Sequence, residues 1–151
     1  MLLFSFWGGP RADSSSEQPI AFSHKTHAND HQIHCQYCHP YADRSPVAGV
    51  PFVKTCMGCH ELIATDKPEI EKLARFWEEE EPIEWMKIYD LPDFVRFTHK
   101  RHVRSGVQCE ECHGDVQTME TVQKVSDLGM GWCLDCHIER KAEIDCLICH
   151  Y

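Results

Sequence analysis

The stretch CLDCHIERKAEIDCLICH, residues 133–150, contains two copies of one short motif, Cys-x-x-Cys-His. Three further copies lie at residues 35–39, 56–60 and 109–113, so the five copies account for all ten cysteines. Two cysteines three positions apart present their thiols on one side of a helical turn, and the histidine follows directly. This spacing is typical of c-type haem attachment, in which the thiols add to the porphyrin and the histidine binds the iron.

The sequence therefore predicts five covalently bound haem c groups. The attachment cysteines are Cys35, Cys38, Cys56, Cys59, Cys109, Cys112, Cys133, Cys136, Cys146 and Cys149. The proximal iron ligands are His39, His60, His113, His137 and His150.

Two other interpretations of the cysteines compete with haem. Zinc sites built from paired Cys-x-x-Cys units need an even number of units, and the chain has five. A disulfide framework explains the ten cysteines but leaves the histidine after every second cysteine unexplained. Haem attachment accounts for both observations.

Composition limits the class of protein. The chain has 151 residues and a formal net charge of −9, which argues against a nucleic-acid partner. With about one macrocycle per 30 residues, an aliphatic core is thin and the porphyrin faces become the interior. We expect a mostly irregular fold with short α-helices, a multihaem cytochrome c whose core is built from its haems.

The N-terminus bears on localisation. Its longest apolar run, residues 1–7, is far shorter than the roughly 20 residues of a membrane span and is not a complete signal peptide. Residues 1–6 are either the tail of a membrane helix, which we favour, or a loose terminus. Because haem is attached in this way outside the cytoplasm, we expect export.

An internal repeat divides the chain. Residues 22–27 (FSHKTH) match residues 97–102 (FTHKRH), and each copy stands a similar distance before an attachment motif. The predicted organisation is an N-terminal stub or linker (1–19), a two-haem module (20–65), a helical and extended connector (66–94) and a three-haem module (95–151).

The connector contains the clearest predicted helix. Asp66 and Glu69 form a variant of the capping box, the apolar residues that follow have helical spacing, and Pro82 ends the pattern. The acidic run 78–81 is most simply a solvated face, and the alternative is a docking patch for a basic partner. Beyond it, Trp85, Tyr89 and Phe94 pack either on haem edges or a partner, or in an ordinary core.

Six histidines lie outside the motifs: His24, His27, His31, His34, His99 and His102. In each repeated segment the two histidines stand three positions apart. They therefore share one side of a helical turn, while their rings can diverge toward two irons. We therefore predict that these pairs supply sixth ligands. Filled sixth positions favour electron transfer, whereas an open one allows substrate chemistry.

The pattern Phe-x-His-x-x-His ahead of serial attachment motifs resembles the class III multihaem cytochromes. More closely, residues 20–151 resemble the pentahaem cytochrome subunit of bacterial alternative complex III. The stretches that carry this resemblance are 22–27, 35–39, 89–92, 97–103 and, as the most specific, 124–133 (KVSDLGMGWC). The chain departs from that family by showing at most a stub of its N-terminal membrane anchor.

The resemblance implies a ligand set. The first histidine of each pair serves the first haem of its module, so His24 pairs with His39 and His99 with His113. The second serves the next haem, so His27 pairs with His60 and His102 with His137. For the haem of His150 the corresponding position holds Met130; Met119 and Met57 are weaker candidates. His31 and His34 are then spare, or one of them replaces Met130.

The resemblance also implies a function. Such a subunit relays electrons on the periplasmic side of the membrane, from an iron–sulfur subunit beside integral membrane quinol-oxidising subunits toward a monohaem cytochrome c or an oxidase. It has no catalytic residues of its own, and it is held at the membrane by an N-terminal anchor or by its partners. The alternatives are a free periplasmic electron shuttle and a small multihaem reductase, which needs one five-coordinate haem.

Overall fold

The computed structural model describes residues 18–151, so the predicted membrane-helix tail and most of the predicted linker lie outside the described residues. Helices in this range are short and are separated by longer irregular segments. In chain order they are α1 Cys35–Cys38, α2 Val53–His60, α3 Pro68–Glu78, α4 His99–Arg104, α5 Glu110–His113, α6 Met130–Glu139 and α7 Cys146–Cys149.

Two further helical turns complete the helical elements of residues 18–151. A π-helical turn, Lys25–Asp30, directly follows His24, and a 3₁₀ turn covers Val116–Thr118. Between residues 18 and 151 the backbone forms no strand, only an isolated antiparallel bridge between Val95 and His150. The predicted fold class, mostly irregular with short helices, is confirmed.

Protein side chains alone build a small apolar cluster. Four buried residues form it, and α3 packs on α2 through them: Ile20, Met57, Leu73 and Ile83. Among residues 18–151, Ala42 is the one other buried hydrophobic residue. Large apolar side chains such as Tyr37, Phe52 and Leu147 are exposed close to the motifs. A core this small agrees with the thin aliphatic interior expected from the sequence.

The connector helix α3 begins and ends differently from its prediction. Its N-cap is Lys67 and it ends at Glu78, four residues before Pro82. Asp66 is therefore not the cap. Glu69 instead accepts a hydrogen bond from the Ala21 backbone N–H at 2.7 Å, which ties the start of the two-haem module to this helix. The four glutamates of residues 78–81 are all exposed, as a solvated face requires.

The extended strap after α3 carries aromatic side chains to two kinds of site. Trp85 packs against the apolar cluster and approaches Phe22 edge-on, with ring centroids 6.5 Å apart. Tyr89 meets His113 edge-on at 4.5 Å, and the ring of Phe94 lies 5.9 Å from that of His150. Trp85 thus packs in the protein core, while Tyr89 and Phe94 contact motif histidines. Packing on haem edges or a partner stays a prediction.

No helix within residues 18–151 has the length and apolar character needed to cross a membrane.

Candidate haem-ligating site

Each attachment motif lies on or next to a short helix. The helical step between the two cysteines turns both thiols to one side, and the chain then continues into the histidine. In three motifs the histidine backbone N–H donates to the first cysteine's carbonyl oxygen: His39 to Cys35, His113 to Cys109 and His150 to Cys146, at 2.9–3.0 Å. The common local geometry follows from the common spacing.

The ten thiols are available for attachment. All of them are unpaired and all are at least partly exposed to solvent. Within residues 18–151, no group of three or more His, Cys, Asp or Glu side chains is arranged to hold a metal ion by protein ligands alone.

Three pairs of histidine rings face each other at the separation that shared iron ligation requires. Two imidazoles that bind one metal ion from opposite sides, each through a nitrogen about 2 Å from the metal, place their ring centroids about 6 Å apart. The observed centroid distances are 6.1 Å for His27 with His60, 6.3 Å for His99 with His113 and 6.0 Å for His102 with His137. These are three of the pairs that the sequence analysis assigned.

The fourth assigned pair is also close. Burial, followed by the charges of His39 and His27, lowers the pKa of His24 to about 4. The imidazole of His24 is therefore neutral at physiological pH, the form that binds a metal. Its Nδ1 atom is buried and has no hydrogen-bond partner in the structure.

Backbone carbonyls set the proton position on six of the predicted ligands. When Nδ1–H donates to a carbonyl oxygen, the tautomer is fixed and the lone pair of Nε2 is free to bind iron. The donors and their acceptors are His27 to Ser23, His39 to Gly49, His60 to Ile63, His99 to Pro46, His102 to Thr98 and His137 to Glu143, over 2.6–3.0 Å.

The spare histidines differ from the paired ones. His34 caps α1, because its Nδ1 accepts a hydrogen bond from the Gln36 backbone N–H at 3.2 Å. That arrangement puts the ring proton on Nε2, the opposite tautomer to that of the six histidines whose Nδ1–H donates to a carbonyl. His31 is exposed just after the π-helical turn. His34 is therefore poorly suited to replace Met130.

Met130 remains a prediction for the fifth iron. It is the first residue of α6 and is 64 % exposed, one helical turn before Cys133. Burial, followed by the charge of Cys149, raises the pKa of the Cys133 thiol. Cys133, near the start of α6, therefore lies close to the last motif. The weaker candidates have other surroundings: Met57 lies in the apolar cluster, and the Met119 carbonyl accepts from the Lys25 N–H.

Sequence reasoning missed the groups that support the ligands. The acceptors on Gly49, Pro46 and Glu143 are backbone carbonyls, which every residue has, so no residue type marks them. One partial signal was present. Gly49 has φ +74°, a conformation that favours glycine, and such a residue ten positions after His39 marks a turn.

Comparison with known proteins agrees with this geometry. Residues 95–151 match the family of cytochrome c7 and related cytochrome c. These residues form a cytochrome c7-like multihaem cytochrome c domain.

The chain is also similar to the multihaem cytochrome c subunit of menaquinone reductase from Nitratidesulfovibrio vulgaris (strain Hildenborough). The two are 34 % identical over 114 residues, which is 74 % of this chain and 53 % of the relative. The chain thus spans about half the length of this curated relative.

Proposed function

We propose that the chain is a pentahaem electron-relay subunit of a membrane-bound quinone-linked oxidoreductase complex. The observation that carries this proposal is the set of three facing histidine pairs at 6.0–6.3 Å, each with one member from a repeat segment and one from a motif. Four irons would have two histidine ligands, the fourth pair being His24 with His39. The fifth would have His150 and Met130.

The chain's own residues perform the binding and the tuning. Haem iron, when bound, supplies one-electron redox chemistry at fixed ligation. The paired thiols would tether it, and the two imidazoles of each pair would both bind its iron, which would leave no site for substrate at the metal. An iron with two histidine ligands would relay electrons and would not catalyse a reaction on a substrate. A methionine ligand would raise the reduction potential at the last motif above that at the bis-histidine motifs.

The partners are inferred from the relative and from the sequence resemblance. The relative is a subunit of menaquinone reductase, and the family resembled is that of alternative complex III, in which quinol is oxidised. The family resemblance would place this chain on the periplasmic side of the membrane, next to iron–sulfur and integral membrane subunits. The relative and the family differ in the direction of electron flow that they suggest. We favour quinol oxidation toward a monohaem cytochrome c or an oxidase, and quinone reduction is the second candidate.

The cofactor part of the proposal has a direct test. Intact mass spectrometry of the exported protein should show five covalent haem adducts. Low-temperature electron paramagnetic resonance should show low-spin iron throughout, and a near-infrared methionine-to-iron charge-transfer band should account for one iron. Fewer adducts would contradict the pentahaem assignment. A high-spin signal from one iron would favour the reductase alternative.

The assignment to a complex needs the native host. Affinity purification from solubilised membranes should recover iron–sulfur and integral membrane subunits together with this chain. A quinol analogue added to that complex should reduce the haems if the complex oxidises quinol. Failure to do so, with reoxidation of prereduced haems by added quinone, would support the reductase direction. Recovery of the chain alone would favour a free shuttle.

A further inference from the structure

The start of α4 in the three-haem module is fixed to a loop of the two-haem module. This junction loop, residues 43–46, follows His39 closely. Both the backbone N–H and Nδ1–H of His99 donate to the Pro46 carbonyl at 3.0 Å, and the Lys100 N–H donates to the Ser45 carbonyl at 3.1 Å. Arg104 Nε donates to the Asp43 carbonyl at 2.7 Å. A predicted iron ligand of one module is thus oriented by the other.

The reverse contact also exists. The π-helical turn of the two-haem module is held by residues that follow the motif of His113. The Lys25 N–H donates to the Met119 carbonyl at 3.0 Å. The side chains of Ser23 and Lys25 reach the carboxylate of Glu120 at 2.6 Å and 3.0 Å. Each module therefore forms hydrogen bonds with the segment just after the first motif of the other module.

These two sets of hydrogen bonds bring the first motifs of the two modules together. The Cys109 thiol lies beside Cys35. Burial, followed by the charge of Cys35, raises the pKa of the Cys109 thiol. Burial, with smaller contributions from His99 and His39, lowers the pKa of His113. The two motifs thus approach each other through both a thiol and a histidine.

The remaining motifs continue outward from this contact. In the two-haem module, His27 lies three residues after His24, the predicted ligand of the first motif's iron, and its ring is 6.1 Å from that of His60 in the second motif. In the three-haem module, Arg140, just after the fourth motif, forms an ion pair with Glu111 inside the third. The fifth motif adjoins the segment that serves the fourth: the Cys149 carbonyl accepts from the Arg96 N–H at 2.8 Å, and the next residue, Phe97, stacks on His102, whose ring is 6.0 Å from that of His137.

We propose, on the basis of the function proposed above, that the motifs form a conducting series in the order second, first, third, fourth, fifth. Electrons cross between the modules where the Cys35–His39 and Cys109–His113 motifs meet. Each step moves one electron between neighbouring irons, so one is oxidised as the next is reduced and no bond is made or broken. The second and fifth motifs are the two ends, where external partners exchange electrons.

Nuclear magnetic resonance of the fully reduced holoprotein tests this order. Each haem can be assigned through contacts between its thioether groups and its own cysteines. We expect inter-haem cross-peaks between the groups bound by motifs one and three. A cross-peak between motif two and any motif of the three-haem module would overturn the order. Fewer than five assigned haems would instead refute the proposed function, so the two failures are distinguishable.

A variant pair tests the junction itself. Replacing Arg104 with alanine releases the Asp43 carbonyl, and Arg101→Ala on the same helix is the matched control. We expect Arg104→Ala to weaken the cross-peaks between motifs one and three and to leave those between motifs three and four unchanged. Arg101→Ala should leave both sets unchanged. Equal weakening of both sets in Arg104→Ala, or no weakening at all, would contradict the role of the junction loop.

Discussion

The two copies of the repeat, residues 22–27 and 97–102, have nearly the same ring distances and angles in their aromatic contacts. Phe22 meets His24 edge-on at 4.9 Å and 87°, and Phe97 meets His99 with the same values. Each phenylalanine stacks on the second histidine of its segment, at 4.4 Å in the first copy and 4.6 Å in the second. The local sequence is therefore enough to build this arrangement.

The first histidine of each copy has different surroundings. His99 donates from Nδ1 to the Pro46 carbonyl, whereas the buried Nδ1 of His24 has no partner in the structure. A hydrogen bond at this nitrogen makes the imidazole a more basic ligand. The corresponding histidines of two similar segments thus become different ligands, because the neighbouring module supplies a carbonyl to one and not to the other.

The largest expected effect comes from removing the ligands themselves. Alanine at His24, His27, His99 or His102 should convert one of the five irons from low to high spin, because an axial ligand is lost. Low-temperature electron paramagnetic resonance measures the change. His31→Ala and His34→Ala are controls that should leave every iron low-spin. Loss of low-spin signal in either control would show that this histidine, and not Met130, ligates the fifth iron.

A substitution at Gly49 perturbs His39, the predicted proximal ligand that shares an iron with His24. His39 donates to the Gly49 carbonyl at 2.6 Å, and a Cβ at Gly49 would lie 3.1 Å from the Tyr41 ring. With φ +74°, Gly49→Ala should cost about 1–2 kcal/mol from backbone strain alone. Thermal unfolding of the holoprotein measures it. Gly106→Ala, at φ +83° with open space around the added Cβ, isolates the strain from the clash. A larger loss in Gly106→Ala than in Gly49→Ala would contradict this account.

The aromatic contacts shared by both copies allow a symmetric test. Phe22→Leu and Phe97→Leu each remove an edge-on and a stacked contact while retaining most of the apolar volume. Each should lower the free energy of unfolding by about 1 kcal/mol, since aromatic pairs contribute roughly 0.5–1.5 kcal/mol beyond their buried area. Chemical denaturation measures the two losses. Values differing by more than about twofold would show that the copies are not equivalent.

The smallest expected effect distinguishes the two module contacts by pH. Hydrogen bonds from Ser23 and Lys25 lower the pKa of Glu120, so the contribution of this contact is present above the ordinary pKa of Glu. It is lost as pH falls through the lowered value. The junction loop accepts through backbone carbonyls, which do not titrate. Acidification should therefore reduce hydrogen-exchange protection of the Lys25 amide before that of Lys100.

Glu120→Gln provides the control for this pH dependence. It removes the charge but keeps a polar side chain, and because the pair is exposed its loss should cost little stability. In this variant the protection of the Lys25 amide should no longer depend on pH in the acid range. Parallel loss of protection at Lys25 and Lys100 in the unaltered protein would contradict the distinction.

Much of the site could be predicted because its chemistry repeats at fixed spacing. Spacing marked the sixth-ligand histidines, the family resemblance implied the pairs His27–His60, His99–His113 and His102–His137, and the structure brings each pair together. Their ligation stays a prediction. The connector helix was predicted in place but with the wrong cap, since Asp66 and Lys67 differ by one position and the cap depends on where the chain turns.

The sequence alone determined the attachment motifs, the two repeat segments and the class of a multihaem cytochrome c, because each depends on contacts within a few residues. Only the tertiary structure decided which motifs adjoin across the modules, since those contacts join residues such as His99 and Pro46, 53 positions apart. They are made through backbone carbonyls that no side-chain pattern encodes. Local spacing therefore predicts the ligands, and long-range packing sets their order.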